Sequence, residues 1–260
     1  MTADIVLDHN MDDMTRAQNI AVGRGVLVES RSPTWLIGSS FEHCVMYQYA
    51  FNQASNVYMA LQQTESPYWQ GDGTRRRAPS PWEANTDLND PTFDNCASQG
   101  QSNNDMCYRS WAVHMSGSNN VVIHGSALWT FFNNMNDNSY EHGECDTTGG
   151  ICQLNMAYID GAKSTYWYSA STKAATNMIY DLTGGGGVNL TTQADYDGGW
   201  GGVVAAYLCD IDLPSIEDGG GGNESGSDNQ STSGHQNTGG RRSGMNMPMI
   251  GLLPFILFLI

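Results

Sequence analysis

Two glutamates, Glu42 and Glu65, stand in a stretch that is otherwise aromatic and amide-rich, SPTWLIGSSFEHCVMYQYAFNQASNVYMALQQTESPYWQ, residues 32–70. Two carboxyl groups among rings suit acid–base cleavage of a glycosidic bond. One donates a proton to the leaving oxygen, and in an inverting reaction the other helps to activate a water on the opposite face. Glu65, in QQTESPYW, is expected to be partly desolvated. Desolvation raises a carboxyl pKa and holds the proton that a general acid needs. Glu42, beside His43 and the hydroxyls of Ser39 and Ser40, is expected to stay ionised and hold water. Trp35, Tyr47, Tyr68 and Trp69 are the candidate rings for sugar stacking. The residues alone leave open the plainer reading that each glutamate supports a turn.

The elements that must position these side chains are short. VMYQY and VYMAL read as strands, and Val26 and Val28 of GVLVES share one face. Glu42 is expected just after a turn at Gly38-Ser39-Ser40, and Glu65 at a strand end stopped by Ser66-Pro67. WAVHM and VVIHG alternate around a Gly-Ser-Asn-Asn turn, which makes His114 and His124 structural. Such units recur at roughly one coil's length without an exact motif, and tight hairpin turns are few. The pattern predicts an all-β chain, a parallel β-helix rather than a sandwich. Residues 71–110 read as a loop insertion, a cleft wall or a disulfide-held loop, with Arg75–Arg77 solvated. The glycine-rich run from 184 to 209 is expected to supply a terminal strand or two.

Acidic residues outnumber basic ones 27 to 11, a formal charge of -16. That argues against nucleic acid, anionic membrane and polyanionic substrates as partners. The six cysteines form no zinc pattern, and Cys96/Cys107 and Cys145/Cys152 are spaced for loop-stapling disulfides. Asp8, His9, Asn10, Asp12 and Asp13 do not match a calcium loop and read as a solvated turn, so neither a metal nor a cofactor is expected. Residues 214–244 read as a disordered Gly/Ser-rich stalk. The apolar tail at 245–260 is too short to span a bilayer and fits a lipid-anchor (GPI) signal. Asn237 is the best-placed attachment residue, with Ser233 and Gly234 as rivals. Asn189, Asn223 and Asn229 open N-glycosylation sequons. MTADIVLDHNMDD is not a signal peptide, so the chain is expected to lack its natural front end.

The pieces DHNMDD, NIAVGRGVLVES, PTWLIGSSFEHCVMYQYAFNQASNVY and QQTESPYWQ resemble the C-terminal half of glycoside hydrolase family 55. These are fungal exo- and endo-β-1,3-glucanases. The likeness continues through CYRSWAVHMSGSNNVVIHGSALWTFFNN to near Cys209. The resemblance implies a right-handed parallel β-helix of the pectate-lyase kind over residues 1–213, the second of two in the family. It implies β-1,3-glucan as substrate and inversion of configuration, with Glu65 as general acid and Glu42 at the attacking water. It also implies a monomer at the fungal cell surface or wall. Without the first β-helix the chain is expected to be inactive or nearly so on its own. A wall protein that binds glucan without cleaving it is the alternative. A polysaccharide lyase is a weaker one, since basic residues are scarce.

Overall fold

The short apolar runs become strands that come in pairs. They are β1 (Val22–Val28) with β2 (Thr34–Ser40), β3 (Cys44–Asn52) with β4 (Ser55–Glu65), and β5 (Trp111–Ser116) with β6 (Asn119–Trp129). Then come β7 (Gln153–Asp160) with β8 (Lys163–Lys173), and β9 (Ala175–Asp181), β10 (Val188–Thr192) and β11 (Gly202–Cys209). This computed structural model describes residues 22–67, 77–130, 151–182, 188–192 and 202–210. All of them belong to the unit Met1–Pro214. The first strands of the pairs stack in parallel as β1-β3-β5-β7-β9, and the second as β2-β4-β6-β8. The result is the right-handed parallel β-helix expected from the sequence, right-handed because a twisted strand feeds its parallel neighbour that way.

Register gives the length of a turn. Val28 lies beside Phe51 and Thr34 beside Val57, each 23 residues on, and Ala157 lies beside Ile179, 22 on. Longer gaps, such as Val57 to Val121, mark where loops are inserted between turns.

Left-handed residues make the corners, stacked turn on turn. Gln53, Gly117 and Gly161 form one column, and Asn56, Asn120 and Ser164 a second. Asparagine tolerates this conformation, and Asn120 Nδ2 donates to Asn56 Oδ1 at 2.8 Å. Gly38, Leu61, Gly125 and Ser169 form a third column inside the long strands. Gly38-Ser39-Ser40 is therefore the bent end of β2 and not a turn, a correction to the sequence expectation.

The interior is filled by the inward residues of both sheets, among them Phe51, Met59, Val113, Met115, Ile123, Ile159 and Trp167. Val28 belongs to this core and Val26 packs on it, as the alternation requires. Strand β3 is buried along its whole length because the 77–110 insertion covers its outer side. Trp82 sits on Met46 and Tyr47, and Phe93 on Trp111. The Cys96–Cys107 disulfide staples this insertion, as expected. Cys152 is disulfide-bonded as well, while Cys145 lies outside the described residues. Arg77 is not solvated: it pairs with Asp105 and lies over the Tyr108 ring, 4.7 Å from its centroid. Arg75 and Arg76 lie outside the described residues.

His114 packs against Trp111, and burial pushes its pKa down to about 4, so it is a neutral structural residue. His124 stacks on Tyr168 on the outer face. The glycine-rich run does supply two strands, but both reverse direction. β10 pairs antiparallel with β9, and β11 with β8. Among the described residues no helix is long and apolar enough to cross a membrane.

Candidate active site

Glu42 and Glu65 are 23 residues apart, one turn of the helix, and this spacing brings them together. Ser40 pairs with Gln63, and His43 N–H donates to Glu65 C=O at 3.1 Å. The two glutamates therefore occupy the same outward position on consecutive turns, about 4.8 Å apart along the stack. His43, between Glu42 and β3, turns the corner with a φ of 61° and is buried.

A small network fixes the pair. Ser40 Oγ donates to Glu42 Oε1 at 2.6 Å and also contacts Gln63 Oε1. Gln63 Nε2 donates to Glu65 Oε1 at 3.4 Å. His43 Nε2 stands 3.2 Å from Glu65 Oε2. Gln48 anchors the corner from beneath. Its Oε1 accepts from Cys44 N–H at 2.9 Å, and its Nε2 donates to Cys44 C=O at 2.7 Å.

Burial pushes the Glu42 carboxyl above its ordinary value, the Ser40 hydrogen bond pulls it back, and the nearby Glu65 charge adds to the rise. This reverses one sequence expectation. Desolvation acts on Glu42, which was expected to remain readily ionised. Glu65 keeps a quarter of its side chain in solvent, 26%. One donor atom from each of Glu42, His43 and Glu65 lies within 4.8 Å of the others. The spacing would admit a cation, but these donors are already engaged with one another, Ser40 and Gln63.

The predicted rings fare unevenly. Tyr47 has no exposed surface, and burial pushes its pKa up to about 12. It packs with Met46, Ala50 and Trp82, so no sugar can reach it; the insertion that covers β3 is the reason. Trp35 is exposed, but it stands beyond the Gly38 bend, beside Tyr58 on another outer face. Tyr68 and Trp69 lie outside the described residues. One ring was missed. Trp129 pairs in register with Glu65 on the next turn and is 38% exposed. The 64-residue separation hides this neighbour, because the inserted loop breaks the sequence period. Of the predicted glycosylation residues, Asn189 falls on β10 opposite Tyr180. Asn223, Asn229 and the predicted anchor residue Asn237 lie outside the described residues, as do residues 214–260.

The site is thus a pair of carboxyl groups stacked on consecutive turns of a parallel β-helix. No family model matches the chain. It is 36% identical over 203 residues to a probable glucan endo-1,3-beta-glucosidase of Arthroderma benhamiae, covering 78% of this chain and 21% of that protein. It is 31% identical over 177 residues to a glucan 1,3-beta-glucosidase of Cochliobolus carbonum, 66% of this chain and 20% of that protein. It is also 44% identical over 173 residues to a protein of Penicillium expansum named as a non-secreted LysM effector, 66% of this chain and 10% of that protein. The chain is thus homologous to fungal glucan 1,3-beta-glucosidases, and it spans about a fifth of the length of these two glucosidases.

Proposed function

We propose that this chain carries the acid–base pair of a family 55 hydrolase acting on β-1,3-glucan, with Glu65 as proton donor and Glu42 orienting the attacking water. The observation that carries this reading is the placement of the two carboxyl groups at one register position on consecutive turns, held by Ser40, Gln63 and His43. Burial and the nearby Glu65 charge both raise the Glu42 carboxyl above its ordinary value. Glu65 keeps about a quarter of its side chain in solvent and can meet a glycosidic oxygen. A neutral glucan lying over it would displace water from the site.

Both acids stand in one outward column, within 4.8 Å, whereas paired carboxylates of inverting enzymes stand about 6.5–9.5 Å apart. The spacing is nearer the ~5–5.5 Å of retaining pairs, so inversion rests on the resemblance to family 55 and not on this separation. Proton NMR of the first product released from laminarin tests this: α-anomer is expected, and initial β-anomer contradicts it. The reading includes an extracellular or cell-wall location with a lipid anchor at Asn237, checked by mass spectrometry of the mature C-terminus. The second reading is a wall protein that binds glucan without turnover, which saturable laminarin binding with no released sugar would establish.

A further inference from the structure

The outward column that holds the acids continues up the stack. Glu65 is followed by Trp129 on the next turn and Lys173 on the one after. Ser66 N–H donates to Trp129 C=O at 3.0 Å, and Thr130 N–H to Lys173 C=O at 3.2 Å, so the alignment persists through the strand ends. The inward neighbours Thr64, Leu128 and Thr172 are buried, which turns Glu65 and Trp129 to the same outer side. Two residues back, the parallel outward column reads Ser40, Gln63, Ala127 and Ser171. Beside the indole these are Ala127 and Ser171, a methyl and a hydroxymethyl. These are small, uncharged side chains beside an exposed ring. No charged residue occupies that second column.

Resting on the glucan reading above, we propose that Trp129 is the stacking platform for the sugar unit next to the cleaved bond. The oligosaccharide then runs along the helix axis, from the Glu42–Glu65 pair toward the turn that carries Trp129. The indole offers a flat apolar face to the axial C–H groups of a glucopyranose, and the uncharged Ala127 and Ser171 beside it suit an uncharged chain. Trp129 is a specificity-determining residue in this account and takes no part in proton transfer.

The test measures binding of a linear β-1,3-linked glucohexaose by calorimetry, in a Glu65→Gln background that does not consume it. Trp129→Ala and Trp129→Leu are each expected to weaken binding ~10- to 100-fold, the loss of a stacked ring and its buried area. Trp129→Phe is expected to stay within about threefold, since it keeps an aromatic face. The leucine variant fills much of the volume without a ring, so it separates stacking from folding. With Glu65 intact, Trp129→Phe should keep the parent's pH profile. If the alanine and leucine variants bind as tightly as the background while the parent hydrolyses laminarin, the platform assignment is wrong and the acid pair stands. If the parent neither binds nor cleaves β-1,3-glucan, the glucan reading falls and the platform with it.

Discussion

Gln48 is the residue whose removal most sharply probes how the acid corner is held. It is 1% exposed and makes three side-chain hydrogen bonds. Two go to the N–H and C=O of Cys44 at 2.9 and 2.7 Å, and one to Ser110 Oγ at 2.9 Å. Cys44 begins β3 directly after Glu42 and His43, and Ser110 ends the insertion. One amide thus ties the corner to the loop that returns to the next turn. Gln48→Ala removes all three bonds, at about 1 kcal/mol each, and leaves a buried void where the amide stood. A loss of ~3–5 kcal/mol is expected, or roughly 10 °C in melting temperature for a domain of this size. Urea unfolding followed by tryptophan fluorescence measures it, with an unchanged m-value as the sign that the fold survives. Laminarin turnover should fall in the same variant at temperatures where it is folded, because the corner carrying Glu42 loosens. A variant within 1 kcal/mol of the parent and equally active would refute the claim that Gln48 sets this corner.

Two further perturbations follow from the same geometry. A Cβ on Gly25 would sit 2.0 Å from Gln48 C=O, so Gly25→Ala must part β1 from β3 and is expected to cost at least ~2–3 kcal/mol, read by thermal unfolding. Burial raises the Glu42 carboxyl above its ordinary 4.5, so the folded chain holds this proton to higher pH than the unfolded chain does. The group costs nothing below the unfolded value and destabilises increasingly as pH rises through the folded one. Glu42→Gln should therefore melt close to the parent near about pH 4 and above it near about pH 7. A melting difference that does not change with pH contradicts this.

Much of the fold was legible because the β-helix repeats simple local choices. Alternating runs such as WAVHM and the Gly-Ser-Asn-Asn turn name their own strands and corner. The pairing of Glu42 with Glu65 was legible too, since their 23-residue separation equals one uninterrupted turn. What failed did so for physical reasons. Tyr47 looked like a sugar platform, but residues far along the chain, Trp82 among them, fold over β3 and bury it. Trp129 escaped notice because the insertion places it 64 residues from its neighbour Glu65. Gly38 looked like a turn, whereas its left-handed backbone only bends a strand, as Leu61, Gly125 and Ser169 do on later turns. Arg77 looked solvated from composition, yet Asp105 and Tyr108 capture it. The reversal of β10 and β11 left no mark in the glycine-rich run, since flexible residues specify no direction.

The central claim is that Glu65 supplies the proton in glucan cleavage. Turnover of laminarin by the full-length protein and by its Glu65→Gln variant, paired with glucan binding by both, tests it most directly. The amide keeps much of the shape but has no transferable proton. The account predicts turnover lower by roughly 10²–10⁴-fold with binding largely retained. A Glu65→Gln protein that hydrolysed laminarin at the parent rate would contradict it.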